Sequence, residues 1–258
     1  MRSISLARRA VCEAVGTAIL LAAIVGSGIM AEHLAGGNVA IALLANTLAT
    51  GGALFAMIAT FGKYSGAHFN PVVTISDAWQ GGMPWSAVPL YAIAQILGAL
   101  AGTAVANLMF GDPVFFASHH VRAGAAQLLA EFVATFGLLT TIWGCSRRAP
   151  RFVVFAVPAY IVGAYWFTSS TSFANPAVTI ARSLSDTFAG IRPSDVPWFI
   201  LAQIGGASAA TFLFHWIDPS GTRRPLRRLV PLSLRRASVD RRGTRLPARR
   251  VPRPGTGR

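Results

Sequence analysis

The sequence predicts an all-α membrane protein, with six transmembrane helices and two re-entrant half-helices in an inverted repeat. Three observations carry this reading. The 258-residue chain is 53% hydrophobic and only 12% charged, too apolar for an ordinary soluble domain. Apolar stretches recur along it, each long enough to cross a hydrocarbon layer of about 30 Å. One short motif also occurs twice, 105 residues apart: Asn70-Pro71-Val72-Val73-Thr74-Ile75 and Asn175-Pro176-Ala177-Val178-Thr179-Ile180.

The six spans fall at about 10–30, 39–61, 87–110, 123–145, 152–169 and 197–217. One Asn-Pro segment lies between the second and third spans, the other between the fifth and sixth. Each segment is a run of roughly ten residues, too short to cross alone. Asn is a favoured N-cap and Pro a favoured first helical residue, so each segment reads as a helix start. A short helix inside a membrane is tolerated only where protein or a water-filled cavity covers its ends. A pair of surface connecting loops is the rival reading, and these segments are too apolar for it. The arginines before the first apolar run also fit a signal peptide. The internal repeat, however, uses that run as a structural helix.

The repeat extends beyond the Asn-Pro boxes. Glu13-Ala14-Val15-Gly16-Thr17 in span one parallels Glu131-Phe132-Val133-Ala134-Thr135 in span four. Ala94-Gln95-Ile96-Leu97-Gly98-Ala99 in span three parallels Ala202-Gln203-Ile204-Gly205-Gly206-Ala207 in span six. Each half therefore reads span, span, half-helix, span. Three spans per half invert the second copy, and a site is expected near the midplane where the halves meet. Gly98 with Gly102, and Gly205 with Gly206, suit close helix crossings.

Charge sets the expected topology. Arg2, Arg8 and Arg9 precede span one, Arg147, Arg148 and Arg151 separate spans four and five, and the arginines from Arg223 to Arg258 follow span six. The loops at 31–38 and 111–120 contain no Lys or Arg. The positive-inside rule then puts both termini in the cytoplasm. Residues 218–258 hold 13 arginines and two aspartates, +11 of the total +14. The charge of the tail thus implies no nucleic-acid partner for the body. The Pro- and Arg-rich tail reads as disordered, either resting on anionic headgroups or simply solvated. Cys12 and Cys145 have no metal-ligand spacing and read as small packed residues.

At this point the residues resemble a known family. Two Asn-Pro boxes, a Glu in spans one and four, and Ser65-Gly66-Ala67-His68-Phe69-Asn70-Pro71 are similar to the aquaporin or major intrinsic protein family across residues 1–217. The resemblance implies six tilted helices and two half-helices meeting at a pore centre, in a homotetramer in the inner membrane. It divides the chain into an aquaporin-like channel domain, 1–217 (repeats at about 1–110 and 121–217), and a basic tail, 218–258. By resemblance Asn70 and Asn175 are the midplane donors, on half-helices opened by Pro71-Val72 and Pro176-Ala177. Each Asn oxygen can cap its own half-helix and leave its NH₂ for the lumen. Two opposed positive helix ends raise the energy of a cation there, as in aquaporin-type pores generally. Glu13 and Glu131 are too costly facing lipid. By resemblance they face inward and bind backbone N–H groups of the re-entrant loops. No cofactor or metal is expected.

The chain also departs from the family pattern. Most members carry Arg directly after the second box, where this chain has Val178, and the first box is Asn-Pro-Val. Gap-free alignment on the two Asn residues puts the constriction on Thr50, Gly163, Ser172 and Val178. Four small uncharged groups predict a wide, mildly polar filter. Arg182, one turn further on, either reaches back toward the vestibule or takes a surface or helix-packing role, and the second is the expectation. A bacterial subgroup with Asn-Pro-Val, then Asn-Pro-Ala-Val-Thr-Ile-Ala-Arg-Ser, is especially similar, and some of its members pass arsenite. This implies passive flux of small uncharged solutes: arsenous acid, glycerol, urea-like molecules and water.

Three other readings stay open from sequence: a water-selective channel, a coupled secondary transporter and a junctional scaffold. Coupling needs membrane acids, and only Glu13 and Glu131 qualify inside the spans. Enzyme chemistry is not expected, because His68, His119, His120 and His215 form no nucleophile or metal spacing.

Overall fold

The computed structural model describes residues 4–219. Among them are eight α-helices: α1 (Leu6–Leu34), α2 (Val39–Phe61), α3 (Pro71–Trp79), α4 (Val88–Met109), α5 (Ala125–Arg148), α6 (Val153–Phe167), α7 (Pro176–Arg182) and α8 (Val196–Ile217). Six are long and apolar enough to cross a membrane. The two short ones, α3 and α7, are the Asn-Pro segments, with nine and seven residues. The helix core of each span agrees with the apolar runs, and the ends differ. α1 extends to Leu6 and Leu34, and α6 stops at Phe167. The tail expectation falls outside the described residues beyond Pro219.

Pairing follows the repeat. α1 packs along α4, and α5 packs along α8. In the first pair a Cβ on Gly98 or Gly102 would overlap the Ala14 or Ala18 carbonyl. In the second, a Cβ on Gly206 would overlap the Phe132 carbonyl. Glycine is what lets these backbones touch, and without a hydrophobic drive between helices in lipid such contacts hold the bundle together. α2 lies against α1 and α6 and closes the two pairs into one body. Large apolar side chains such as Leu48, Ile93, Leu97, Leu129, Phe155 and Leu201 cover the outside. The interior combines apolar side chains such as Leu21, Phe69 and Leu139 with small and polar residues, while the outside is apolar, the pattern lipid solvent requires.

α3 and α7 enter between the two pairs, each touching both α4 and α8. Both begin with an extended Asn cap followed by Pro at the first helical position. The loops that deliver them are unusual. All five non-glycine residues with positive φ among the described residues lie there: Ala67, Phe69, Thr171, Ser172 and Ala174, at 48° to 60°. Left-handed backbone costs an L-residue of order 1 kcal/mol or more, so surrounding bonds must hold it.

Candidate functional site

Those bonds come from two buried carboxylates. Glu13 on α1 is fully buried and accepts from the His68 N–H at 3.1 Å and the Phe69 N–H at 2.7 Å. Glu131 on α5 is equally buried and accepts from the Phe173 and Ala174 N–H groups, both at 2.9 Å. Each acid also has a glutamine that the resemblance did not single out. Gln95 Nε2 donates to Glu13 (2.9 Å) and to Thr74 Oγ1 (2.9 Å). Gln203 Nε2 donates to Glu131 (2.7 Å) and to Thr179 Oγ1 (2.8 Å). The two threonines donate back to the Asn70 and Asn175 carbonyls. Span, loop, half-helix and opposite span are thus tied by one network in each half. The sequence signal was present: an Ala-Gln-Ile in each repeat, with a glutamine costly in lipid.

The Asn side chains complete the junction. Asn70 Oδ1 accepts from the Val72 N–H at 3.1 Å, and Asn175 Oδ1 accepts from the Ala177 and Val178 N–H groups at 3.0 and 3.4 Å. Each Nδ2 donates across to the opposite loop, Asn70 to the Ala174 carbonyl (2.7 Å) and Asn175 to the Phe69 carbonyl (2.8 Å). Of the two N–H bonds that each amide carries, the cross-link therefore takes one and leaves one. The two half-helices begin against each other at this cross-link.

A cavity of about 460 Å³ runs past this junction, lined by Asn70 and Asn175 among others. One wall is apolar, with Leu20, Ile24, Leu54 and Ile58 from α1 and α2 and Leu138 and Ile142 from α5. Thr50, Ser172 and Val178 line it. Ser172 Oγ is buried without a hydrogen-bond partner.

Gly163 does not line the cavity, which corrects the gap-free placement. It is exposed on the outward face of α6, with open space where a Cβ would stand. The α6 residues that line it are Val153, Val154, Val157, Ile161 and Tyr165, four of them spaced by four. Tyr165 fills the position given to Gly163, and its hydroxyl donates to Thr50 Oγ1 at 3.3 Å. A phenol thus stands on the cavity wall where the spacing had put a glycine. An every-fourth stripe ending in Tyr was the signal that marks this face.

Arg182 also departs from expectation. It is 2% exposed, lines the cavity, and carries its guanidinium 3.5 Å from the Phe173 ring centroid. Its Nε donates to the Ala189 carbonyl, and its Nη1, itself inaccessible, has no partner among the described residues. Arg122, in the loop before α5, sits 5.0 Å from the same ring centroid and donates to the Gly190 and Ser170 carbonyls. Burial lowers its pKa to about 10, leaving it protonated at neutral pH.

Comparison with known proteins bears on this geometry. The family model described as "Major intrinsic protein" matches residues 1–165. The chain is 50% identical to aquaglyceroporin AqpS of Rhizobium meliloti over 217 residues, 84% of this chain and 93% of that one. It is 30% identical to aquaporin NIP1-3 of Oryza sativa, over 89% of this chain and 80% of that one. In shape it is similar to the X-ray structure of the aquaglyceroporin from Plasmodium falciparum. That likeness has a TM-score of 0.61 at 19% identity and covers 84% of this chain and 96% of that one.

Proposed function

The chain belongs to the major intrinsic protein family, and we infer that it is a passive membrane channel, not an enzyme, for water and small uncharged solutes such as glycerol. One observation carries this reading: two Asn-capped half-helices begin against each other, cross-bonded, on a single cavity. The free N–H of Asn70 and of Asn175 offers a passing solute a donor. The positive ends of α3 and α7 oppose a cation at the same point. Pro71, Val72, Pro176 and Ala177 fix the starts of the half-helices, and Glu13 and Glu131 hold their loops. Thr50, Tyr165, Ser172 and Val178 form the selectivity constriction, with hydroxyls on one side and a methyl surface on the other.

The same reading assigns residues 1–217 to the channel domain and residues 218–258 to a separate tail. Six crossings return the chain to its starting side, and the clusters Arg8-Arg9 and Arg147-Arg148-Arg151 put that side in the cytoplasm of a bacterial cell membrane. The exposed apolar faces suit lipid and a homotetramer. Among solutes, the relatives' names support glycerol, and the similarity to an arsenite-permeable subgroup adds arsenous acid.

Coupled transport has no support in the geometry. Glu13 and Glu131 are held in loop clamps and neither lines the cavity. The test is stopped-flow shrinkage of proteoliposomes with glycerol, urea and water, with and without a proton gradient. Flux that follows the solute gradient alone is expected, and uphill accumulation on a proton gradient overturns the channel.

A further inference from the structure

The two ends of the helix bundle differ in exposed charge. At the end where α1 starts, α2 stops and α5 gives way to α6, Arg8, Lys63, Arg148 and Arg151 are exposed. The acids there, Asp77 and Asp218, are buried, at 4% and 9% exposure. At the opposite end the pattern reverses. Glu32 and Asp186 are exposed, Arg122 and Arg182 are buried, and Arg192 is paired with Asp195. Among the described residues the first end thus presents cations to its surroundings and no carboxylate.

The chain beyond the described residues leaves from that basic end. Arg148 Nη2 donates to Asp218 Oδ2 at 3.0 Å, and Arg147 Nη1 donates to the Asp218 carbonyl at 3.0 Å. Both arginines lie in the last turn of α5, so the end of α8 is fixed against the end of another span. Trp216, two residues before Asp218, is 79% exposed. One turn earlier, Phe212 packs edge-on against Trp79, with ring centroids 4.8 Å apart. Exposed tryptophan at the end of a span marks the depth of the lipid headgroups. Residues 220–258 therefore begin at that depth.

Their composition is of one kind. They hold 13 arginines and one aspartate, and most of the arginines stand in adjacent pairs such as Arg223-Arg224 and Arg227-Arg228. Two polyanions match such a segment, a membrane surface and a nucleic acid, and the other residues favour the membrane. Leu226, Leu229, Val230, Leu232 and Leu234 stand among the pairs, and only a bilayer offers apolar side chains a sink beside phosphates. The segment contains no Phe, Tyr or Trp on which a base could stack. Tethering at headgroup depth also gives the arginines a high effective concentration at the bilayer.

We propose that residues 220–258, together with the exposed rim of Arg8, Arg148 and Arg151, form one surface that binds lipids with an anionic phosphodiester headgroup. Each arginine near such a surface adds to the attraction. The surface gathers anionic lipid around the basic end of the bundle. It goes beyond the channel reading and does not depend on what crosses the pore.

The experiment uses the full chain in nanodiscs of neutral phosphatidylcholine. Sucrose-loaded vesicles of phosphatidylcholine, alone or with a quarter of it replaced by phosphatidylglycerol, are added and sedimented, and the bound protein is measured. Binding to the anionic vesicles should exceed binding to the neutral ones at least tenfold at low salt, and high salt should abolish the difference by screening. A full-length variant with every arginine from Arg223 to Arg258 replaced by Gln should lose the preference while keeping the parent's thermal midpoint. Equal binding of the parent to both vesicles overturns the inference, and so does a folded Gln variant that keeps the parent's preference. If that variant does not insert, the parent's own preference and its salt dependence decide. Inorganic phosphate that releases the vesicles at their own phosphate concentration overturns the lipid surface in favour of a free phosphate. Duplex DNA that displaces them under the same condition overturns it in favour of a nucleic acid. Glycerol and water flux are read separately: a parent that binds anionic vesicles and passes neither solute overturns the channel reading and supports this inference alone.

Discussion

Removing the Glu131 carboxylate tests the clamp on which the whole junction depends. In Glu131→Ala the Phe173 and Ala174 N–H groups lose their acceptor, and Gln203 keeps only Thr179. Each unsatisfied buried donor costs about 1–3 kcal/mol, so the two backbone groups alone cost about 2–6 kcal/mol. That is comparable to the whole stability of many domains, about 5–15 kcal/mol. Glu131→Gln is gentler. If its carbonyl oxygen replaces Oε2, Ala174 and Gln203 keep their acceptor, and the new NH₂ faces the Phe173 N–H. One bond is lost, about 1–3 kcal/mol. Glu13→Gln meets the same arithmetic, because Oε2 there accepts from Phe69 and Gln95 while Oε1 accepts from His68.

At about 2–4 °C per kcal/mol for a chain of this size, either Gln variant should lower the thermal midpoint by roughly 2–12 °C. The Ala variants should fall further. Thermal denaturation of the purified protein reads the shift, and liposome flux reads the consequence. With the clamp weakened, Ser172 and Ala174 are free to leave their left-handed backbone, and cation tightness should fall with the midpoint. Glu131→Ala at the parent midpoint, with selectivity intact, refutes the argument. A large difference between Glu13→Gln and Glu131→Gln refutes the equivalence of the two halves.

Other outcomes follow from the same geometry. Asn70→Asp or Asn175→Asp puts a full negative charge where two helix ends contribute roughly +0.5 each, so cation leak should rise sharply in a liposome conductance assay. Val178→Arg should lower the glycerol-to-water ratio, since it adds bulk to the cavity that Val178 lines with Thr50 and Ser172. Gly163→His should leave that ratio unchanged, whereas Tyr165→Ala should raise flux of the larger solute, because only Tyr165 faces the cavity. Gly98→Ala and Gly206→Ala should each destabilise by about 1–3 kcal/mol through forced helix separation, with Gly163→Ala as the neutral control in thermal denaturation.

The parts of this fold that repeat were legible in the sequence, and the parts that depend on helix phase were not. Apolar length alone marks six spans, and Asn-Pro alone marks two helix starts, because both signals are local. Glu13 and Glu131 were legible because an acid in a membrane span needs partners. Gln95 and Gln203 stood in matching positions, yet their link to Thr74 and Thr179 needs four elements brought together. Gly163 misled because counting back from Asn175 fixes a position in the chain, not the rotation of α6. Its phase is set by Tyr165 reaching Thr50 and by Val162 packing over Gly51. The amide of each Asn was read as wholly free, and half of it proves to be committed to the opposite loop. Arg182 was expected in a surface or helix-packing role; it is buried on the cavity wall instead, and burying a cation has a cost. The Phe173 face and the Ala189 carbonyl offset part of that cost.

The two halves share a frame and differ in what they attach to it. Seven residues after each Asn, the first half has Asp77 and the second has Arg182. Two residues before each Asn stand His68 and Phe173. In both halves the later residue lies against the earlier one: Asp77 is 3.8 Å from His68 Nε2, and Arg182 stacks on Phe173. The acid has a partner that can carry the opposite charge, and it does not line the cavity. The base has a ring, which cannot neutralise it, and it does line the cavity. One backbone device, repeated with inversion, therefore carries an acid in one half and a base in the other. Arg182 lines the cavity together with Thr50, Tyr165, Ser172 and Val178, and Lys63 and Arg151 line it as well. A neutral solute feels the field of these charges only through its dipoles and hydrogen bonds, whereas a cation feels it in full. Basic groups on the cavity wall can therefore oppose a cation without narrowing the path of a neutral solute.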